Sequence, residues 1–200
     1  MRIFGDETSG NCLKVRYTAD FLGQAYEWVV VSALDGETRK PEFLALNPMG
    51  QIPVVVFDDG RTLAQSNAII RFLAAGTRLL PQDAFAQAKA DEWLFWEQYS
   101  HEPYVAVSRF QMHYLGKPAS EREAWRVERS EAALDLMEHH LTDRIWLAGD
   151  SFSVADISLL AYTRLAHEGG FDLSARTSVQ SWIQRCEGQL QLEPAPTGLN

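Results

Sequence analysis

The run from Asn47 to Ile69, NPMGQIPVVVFDDGRTLAQSNAI, constrains the fold more than any other stretch of the chain. Asn47-Pro48-Met49-Gly50 reads as a tight loop, because proline presets one dihedral and glycine permits a positive one. Gln51-Ile52-Pro53 leads into the β-branched run Val54-Val55-Val56-Phe57, and Asp59-Gly60 is a hairpin signal that returns the chain through Thr62-Leu63-Ala64. A proline at the start of a strand after such a turn is where a cis bond is most readily accommodated, although X-Pro bonds are usually trans. Gln65-Ser66-Asn67 then precedes the apolar-periodic Ala68-Ile69-Phe72-Leu73, which sets Ser66 at a helix N-terminus, where backbone N–H groups and the helix dipole favour a carboxylate. One short segment thus offers a backbone edge beside Pro53 and an anion site at Ser66. That pairing suits a small peptide with an extended main chain and a terminal carboxylate; the plainer alternative is a loop and hairpin with no ligand.

Two hundred residues suffice for one large domain or two small ones. The net charge of −9 argues against nucleic acid or an anionic membrane as the main partner, and no apolar run approaches the ~18 residues of a membrane span. Met1-Arg2-Ile3-Phe4 breaks at once into Asp6-Glu7, so a secretory signal is not expected. Cys12 and Cys186 fit no disulfide or zinc pattern, which points to a reducing cytoplasm and no metal.

Arg2-Ile3-Phe4 is a strand candidate. From Asn11, Cys12, Val15, Ala19 and Leu22 share one helical face that ends at Gly23. Tyr26 to Val31 is a second strand, and Pro41 opens a short helix through Phe43 and Leu46. With the hairpin and the helix from Ser66 to about Ala75, the order is βαβαββα. Residues 77–83, with Leu80-Pro81, read as a linker between a first domain, 1–76, and a helical one, 84–192. In the latter, a long helical stretch from Ala84 to about Tyr114 is kinked or broken by Pro103. Ser120-x-x-Glu123 predicts a capping box opening a helix striped by Val127, Leu134, Met137 and Leu141; Ser153-x-x-Asp156 predicts a second box leading into Ile157, Leu160, Ala161 and Leu165. A last helix covers about Thr177 to Gln189, and residues 193–200, with Pro194, Pro196 and Gly198, read as a loose tail.

NPMGQIPV followed by QSNAI resembles the glutathione site of the cytosolic glutathione transferases, and the resemblance extends from Met1 to about Leu190. It implies an α+β thioredoxin-like N-terminal domain followed by an all-helical C-terminal domain, and a cis proline. It further implies that Ile52 pairs with the cysteinyl backbone of glutathione and that Gln65-Ser66 holds the γ-glutamyl end. Gln65 stands where many bacterial and theta-like members have Glu, which softens any ionic grip on the γ-glutamyl amine. Arg39 and Lys40 are candidates for the glycyl carboxylate, with Gln51 as a hydrogen-bonding partner; a solvated loop is the alternative for the two cations.

The resemblance also gives meaning to Thr8-Ser9-Gly10-Asn11-Cys12-Leu13-Lys14. In a thioredoxin-like fold this turn carries a Cys-x-x-Cys pair; here the spacing survives as Ser9-x-x-Cys12, so the chain cannot run a dithiol cycle alone. The same helix N-terminus can still stabilise a thiolate supplied by a ligand. Ser9 aligns with the serine of theta- and delta-like members, and Asn11 resembles the asparagine that accompanies Thr or Ser in the bacterial nu-like class. Lowering a thiol from about 8.5 to about 6.5 takes ~2.7 kcal/mol, within reach of two charge-assisted hydrogen bonds at a helix terminus. As a residue before a helix, Ser9 could instead act only as a cap. Cys12, on the apolar face, reads as a small core residue, and Tyr17 lies inside the helix, which speaks against a tyrosine-dependent class. Tyr104 and Phe110 are the candidates for a second-substrate pocket, expected between the domains. His101, His113, His139, His140 and His167 lack ligand spacing and read as surface or capping residues.

The implied activity is attack of the glutathione thiolate, as co-substrate, on a small electrophile, in a homodimer. Two alternatives stay open: a nu-like glutathione-dependent disulfide or peroxide reductase, and a glutathione-binding interaction module without catalysis.

Overall fold

In a computed structural model the chain is described over residues 1–196 and 198, and it divides between Thr77 and Arg78 into two compact units. The first contains β1 (Arg2–Gly5), α1 (Gly10–Phe21), β2 (Glu27–Val30), α2 (Pro41–Leu44), β3 (Val54–Val56), β4 (Thr62–Ala64) and α3 (Ser66–Leu73), the expected βαβαββα order. The sheet runs β2-β1-β3-β4. β1 pairs in parallel with β2, Ile3 opposite Trp28, and antiparallel with β3, Ile3 opposite Val55. Val54, Val55 and Val56 are all buried, because a central strand of β-branched residues packs on both faces. Val31, Phe43 and Val54 form a core cluster, with Phe4, Leu46, Ile52 and Ala64 against it. The β3–β4 hairpin closes with Phe57 N–H on Arg61 O at 2.9 Å, while Gly60 takes a φ of +84° that suits glycine.

The second unit is helical. α4 (Ala84–Trp96) is capped by Asp83, whose Oδ1 accepts from Ala86 N–H at 2.9 Å. Pro103 does not break the stretch that follows. Glu97–Ala106 is a π-helix around Pro103, and after α5 (Val107–Arg109) a further π segment runs Phe110–Tyr114. Proline removes one N–H and crowds the carbonyl four residues back; a wider turn tolerates both, so the helix widens at Pro103 rather than breaking.

α6 (Ala124–Leu141) starts after Glu123, without a side-chain cap. The box expected at Ser120-x-x-Glu123 is therefore not formed. Ser120 lies inside a 3-10 turn (Ala119–Glu121), and Glu123 forms an ion pair with Arg126 instead. The second box is formed as expected: Ser153 caps α7 (Val154–Thr163), and Asp156 accepts from Ser153 N–H at 3.0 Å. Fully buried, Asp156 also accepts from Leu147 N–H at 3.0 Å and Trp182 Nε1 at 2.9 Å, tying α7 to α8 (Thr177–Leu190).

The segment between the units is anchored, and one expectation about ordering, at the tail, is corrected. Leu79 and Leu80, inside the presumed linker 77–83, are buried, and Leu79 O accepts from Val154 N–H at 3.0 Å; two leucines gain too much from burial to stay in solvent. Of the tail, Glu193 O accepts from Arg164 Nη2 at 2.7 Å and Ala195 N–H donates to Glu187 Oε1 at 3.0 Å, so its first residues are held rather than loose. Thr197, Leu199 and Asn200 lie outside the described residues.

Candidate functional site

The first unit gathers most of the candidate residues along the edge formed by the start of α1, the loop before β3 and the start of α3. The loop before α1 is organised by Asp6. Its Oδ1 accepts from Thr8 N–H at 2.7 Å, Thr8 Oγ1 at 2.7 Å and Ser9 N–H at 3.1 Å. Sequence reasoning passed over Asp6, although Asp followed by a hydroxyl residue two positions on is an Asx-turn signal.

Ser9 is the N-cap of α1 by backbone, and its carbonyl accepts from Leu13 N–H at 2.8 Å, but its side chain makes no capping bond. The Cys12 sulfur accepts from Asp6 N–H at 3.4 Å, and the Ser9 side chain and the Asp6 N–H both act to lower the pKa of that thiol. Cys12 itself is fully buried, and burial pushes its thiol up from 9.0 to about 11 against the pull of those two donors. A Cβ at Gly5 would lie 3.0 Å from the Cys12 sulfur. The cysteine thus fills a closed space beneath the end of β1, in keeping with its reading as core.

Asn11 joins the two halves of the site. Its Oδ1 accepts from Ser66 Oγ at 2.8 Å, across fifty-five residues of sequence, and from Lys14 Nζ at 2.9 Å. Lys14 is fully buried and was missed as a site residue, since a lysine within a helix reads as solvated.

Ser66 is the first residue of α3 and is buried. Gln65 before it is an exposed non-glycine residue at φ +69°, ψ 111°, a conformation that costs about 1–3 kcal/mol and is typical of ligand clamps. α3 has no side-chain cap and no acidic residue in its first turn, so no carboxylate of that turn competes with a ligand's there.

The Ile52–Pro53 peptide bond is cis. The loop before it is braced by Asn47, whose Nδ2 donates to Gln51 O at 2.7 Å and whose Oδ1 accepts from Met49 N–H at 3.2 Å. Arg39 lies over this loop: Nη1 donates to Met49 O at 3.4 Å and would be 2.5 Å from a Cβ at Gly50, whose φ is +63°. Lys40 does not join it. Its ammonium is paired with Glu37 at 3.2 Å, three residues back on the same turn.

In the second unit, Tyr104 and Phe110 have different neighbours. Tyr104 Oη accepts from Arg129 Nη1 at 3.2 Å and its ring meets Trp125 edge-on at 6.2 Å, whereas Phe110 stacks on Tyr114 at 5.4 Å. His101 corrects the surface reading of the histidines: it is fully buried and its Nε2 bonds Thr163 Oγ1 at 3.1 Å. Among the described residues there is no His, Cys, Asp or Glu cluster suited to a metal ion and no helix long and apolar enough to cross a membrane.

Residues 8–75 match the family description "Glutathione S-transferase, N-terminal domain", and residues 95–189 match "Glutathione S-transferase, C-terminal domain". The chain is 43% identical to a glutathione S-transferase of known structure from Pseudomonas fluorescens Pf-5, with a TM-score of 0.90 over 100% of this chain and 97% of the other. It is 32% identical to glutathione S-transferase 3 of Zea mays over 98% of this chain and 97% of that protein. It is also 28% identical to the disulfide-bond oxidoreductase YfcG of Escherichia coli K12, over 82% and 81% of the two chains. With both units matched by the family descriptions and relatives this similar over nearly the whole chain, the chain belongs to the glutathione S-transferase family, enzymes whose co-substrate is glutathione.

Proposed function

We propose that this enzyme conjugates glutathione to a small electrophile, with Ser9 as the main donor to the glutathione sulfur and Asn11 as the second. The observation that carries the reading is the Ser66–Asn11 hydrogen bond of 2.8 Å, because it couples the expected carboxylate-binding helix end to the turn expected to hold the sulfur. Ser9 supports it as well. Its hydroxyl is not spent on capping α1, and rotation about one side-chain torsion is enough to turn it to a bound sulfur. Donation to the anion favours ionisation of the thiol. The proton leaves to solvent, the sulfur lone pair forms the new carbon–sulfur bond, and the electrophile's leaving group departs or its π-bond takes up the electron pair and then a proton.

In this reading Ser66, Gln65 and the α3 N-terminus hold the γ-glutamyl end, Ile52 offers its backbone beside Pro53, and Arg39 and Gln51 receive the glycyl end; the Glu37 pair makes Lys40 the weaker candidate. Tyr104 and Phe110 remain our candidates for the electrophile pocket. Exposed Phe95 and Tyr99, 75% and 81% accessible, support a homodimer, testable by sedimentation, and two buried free cysteines fit a reducing cytoplasm. The likeness to the disulfide-bond oxidoreductase YfcG supports disulfide reduction as a second reading.

The test of the mechanism is the ultraviolet thiolate absorbance of bound glutathione against pH. Ser9→Ala should raise the bound thiol's pKa by about one to two units and Asn11→Ala by less, since a charge-assisted hydrogen bond contributes ~1.5–3 kcal/mol. A Ser9→Ala curve that overlays wild type refutes the assignment. A chloronitroarene, an isothiocyanate, an organic hydroperoxide and a small disulfide, each assayed with glutathione, separate the two activities.

A further inference from the structure

Asn11 is useful to a thiolate only if it presents its NH2 and not its carbonyl oxygen, and the side-chain amide can adopt either orientation. Three observations bear on which is held. Lys14 Nζ lies 2.9 Å from one terminal atom of Asn11. An ammonium has N–H donors and no lone pair, so the atom facing it is oxygen. Ser66 Oγ, 2.8 Å away, donates to that same oxygen, and Lys14 is buried to the last percent of its surface on α1, where its position is not free to wander as an exposed lysine's is.

We propose that Lys14 is a positioning residue: by holding the carbonyl oxygen of Asn11, it makes Asn11 a donor-only group toward the glutathione sulfur. This rests on the reading above, in which Asn11 is the second sulfur donor. The consequence has a definite sign. An amide fixed with its oxygen toward Lys14 turns its N–H groups to the other branch of the side chain, where they favour the anion. An amide free to flip offers its oxygen part of the time, which repels a thiolate and accepts from the neutral thiol. Loss of Lys14 therefore raises the pKa of bound glutathione, and does so through Asn11.

The experiment is a double-mutant cycle read by the thiolate absorbance of the glutathione complex against pH, with thermal melts confirming that each variant is folded. Asn11→Ala should raise the pKa by about one unit, Lys14→Met by a similar amount, and the double variant by no more than the larger single shift, since the two residues act as one group. Lys14→Arg keeps an N–H donor and should restore most of the wild-type pKa. If Lys14→Met is not recovered folded, Lys14→Gln takes its place in the cycle, with the same outcomes. Should Asn11→Ala leave the pKa unchanged, Asn11 is no sulfur donor, and both readings fall. Should Asn11→Ala shift it while the Lys14 variant does not, or should the two shifts simply add, the Asn11 assignment stands and the role of Lys14 is overturned. A change confined to the KM for glutathione, with the thiol pKa unmoved, also overturns it, because that is what loss of packing alone produces.

Discussion

Replacing Cys12 with alanine separates packing from chemistry at the first turn. With its pKa raised from 9.0 to about 11, the thiol is ionised in only about one molecule in ten thousand at pH 7, roughly a hundredfold less than an unshifted thiol. It is also fully buried. A group so placed is a poor nucleophile, so Cys12→Ala should keep kcat/KM for conjugation within about twofold of wild type. The substitution removes one sulfur from a closed space, at a cost of about 1 kcal/mol at neutral pH. Its pH dependence follows from linkage. A folded-state pKa above the unfolded value means that the thiol's contribution is complete below about pH 9 and is lost as pH rises through about 11, by up to ~2.7 kcal/mol. Urea unfolding of both proteins should therefore show wild type more stable at pH 7 and the difference shrinking or reversing toward pH ~11. Iodoacetamide labelling followed by intact mass should find Cys12 unmodified in the native protein at pH 7. A variant with native circular dichroism that has lost conjugation, or rapid labelling of Cys12 in the folded enzyme, would refute this account and move Cys12 into the reaction.

Three further outcomes are expected. Ser66→Ala removes the 2.8 Å bond to Asn11 along with a donor at the α3 N-terminus, and should weaken glutathione binding by about 1.5–3 kcal/mol in titration calorimetry; unchanged affinity means the γ-glutamyl end binds elsewhere. Gln65→Gly relieves the backbone at φ +69° and should raise thermal stability, by an amount on the order of 1 kcal/mol, while glutathione affinity falls. A variant that is neither more stable nor weaker-binding denies Gln65 the role of a strained clamp. Asp156→Ala leaves the Leu147 and Ser153 N–H groups and Trp182 Nε1 without their buried acceptor, and should cost at least about 3 kcal/mol in urea unfolding. A cost under about 1 kcal/mol would show that desolvation of this carboxylate, which pushes its pKa upward, cancels what its hydrogen bonds contribute.

Local chemistry made much of this protein legible from its sequence. The β-branched run at Val54–Val56, the Asp59-Gly60 turn and the periodic residues after Ser66 predict the β3–β4–α3 order because each rests on short-range preferences of backbone and side chain. The Ser153–Asp156 box is similarly local, four residues closing on themselves. The same signal at Ser120–Glu123 misleads, since a capping box requires a helix that begins there and the chain instead spends that segment in a 3-10 turn. At Pro103 a break is one of two outcomes open to the sequence, and it does not occur, because a helix that widens can accommodate the ring.

The site divides along the same line. Ser66 could be singled out by its place at a helix start, and Ser9, Asn11 and Gln65 by the family resemblance, but nothing in one dimension says that Ser66 bonds Asn11 from fifty-five residues away. Lys14 was invisible as a site residue because a lysine's meaning is its burial, and burial is a property of the folded chain. Lys40 looked as open as Arg39, until the 3-10 turn brought Glu37 against it. Sequence alone determines which groups are available and how the backbone near each prefers to bend; the orientation of an amide, the pairing of a cation and the closure around a thiol arise from long-range contacts, whose energies exist only once the elements have packed.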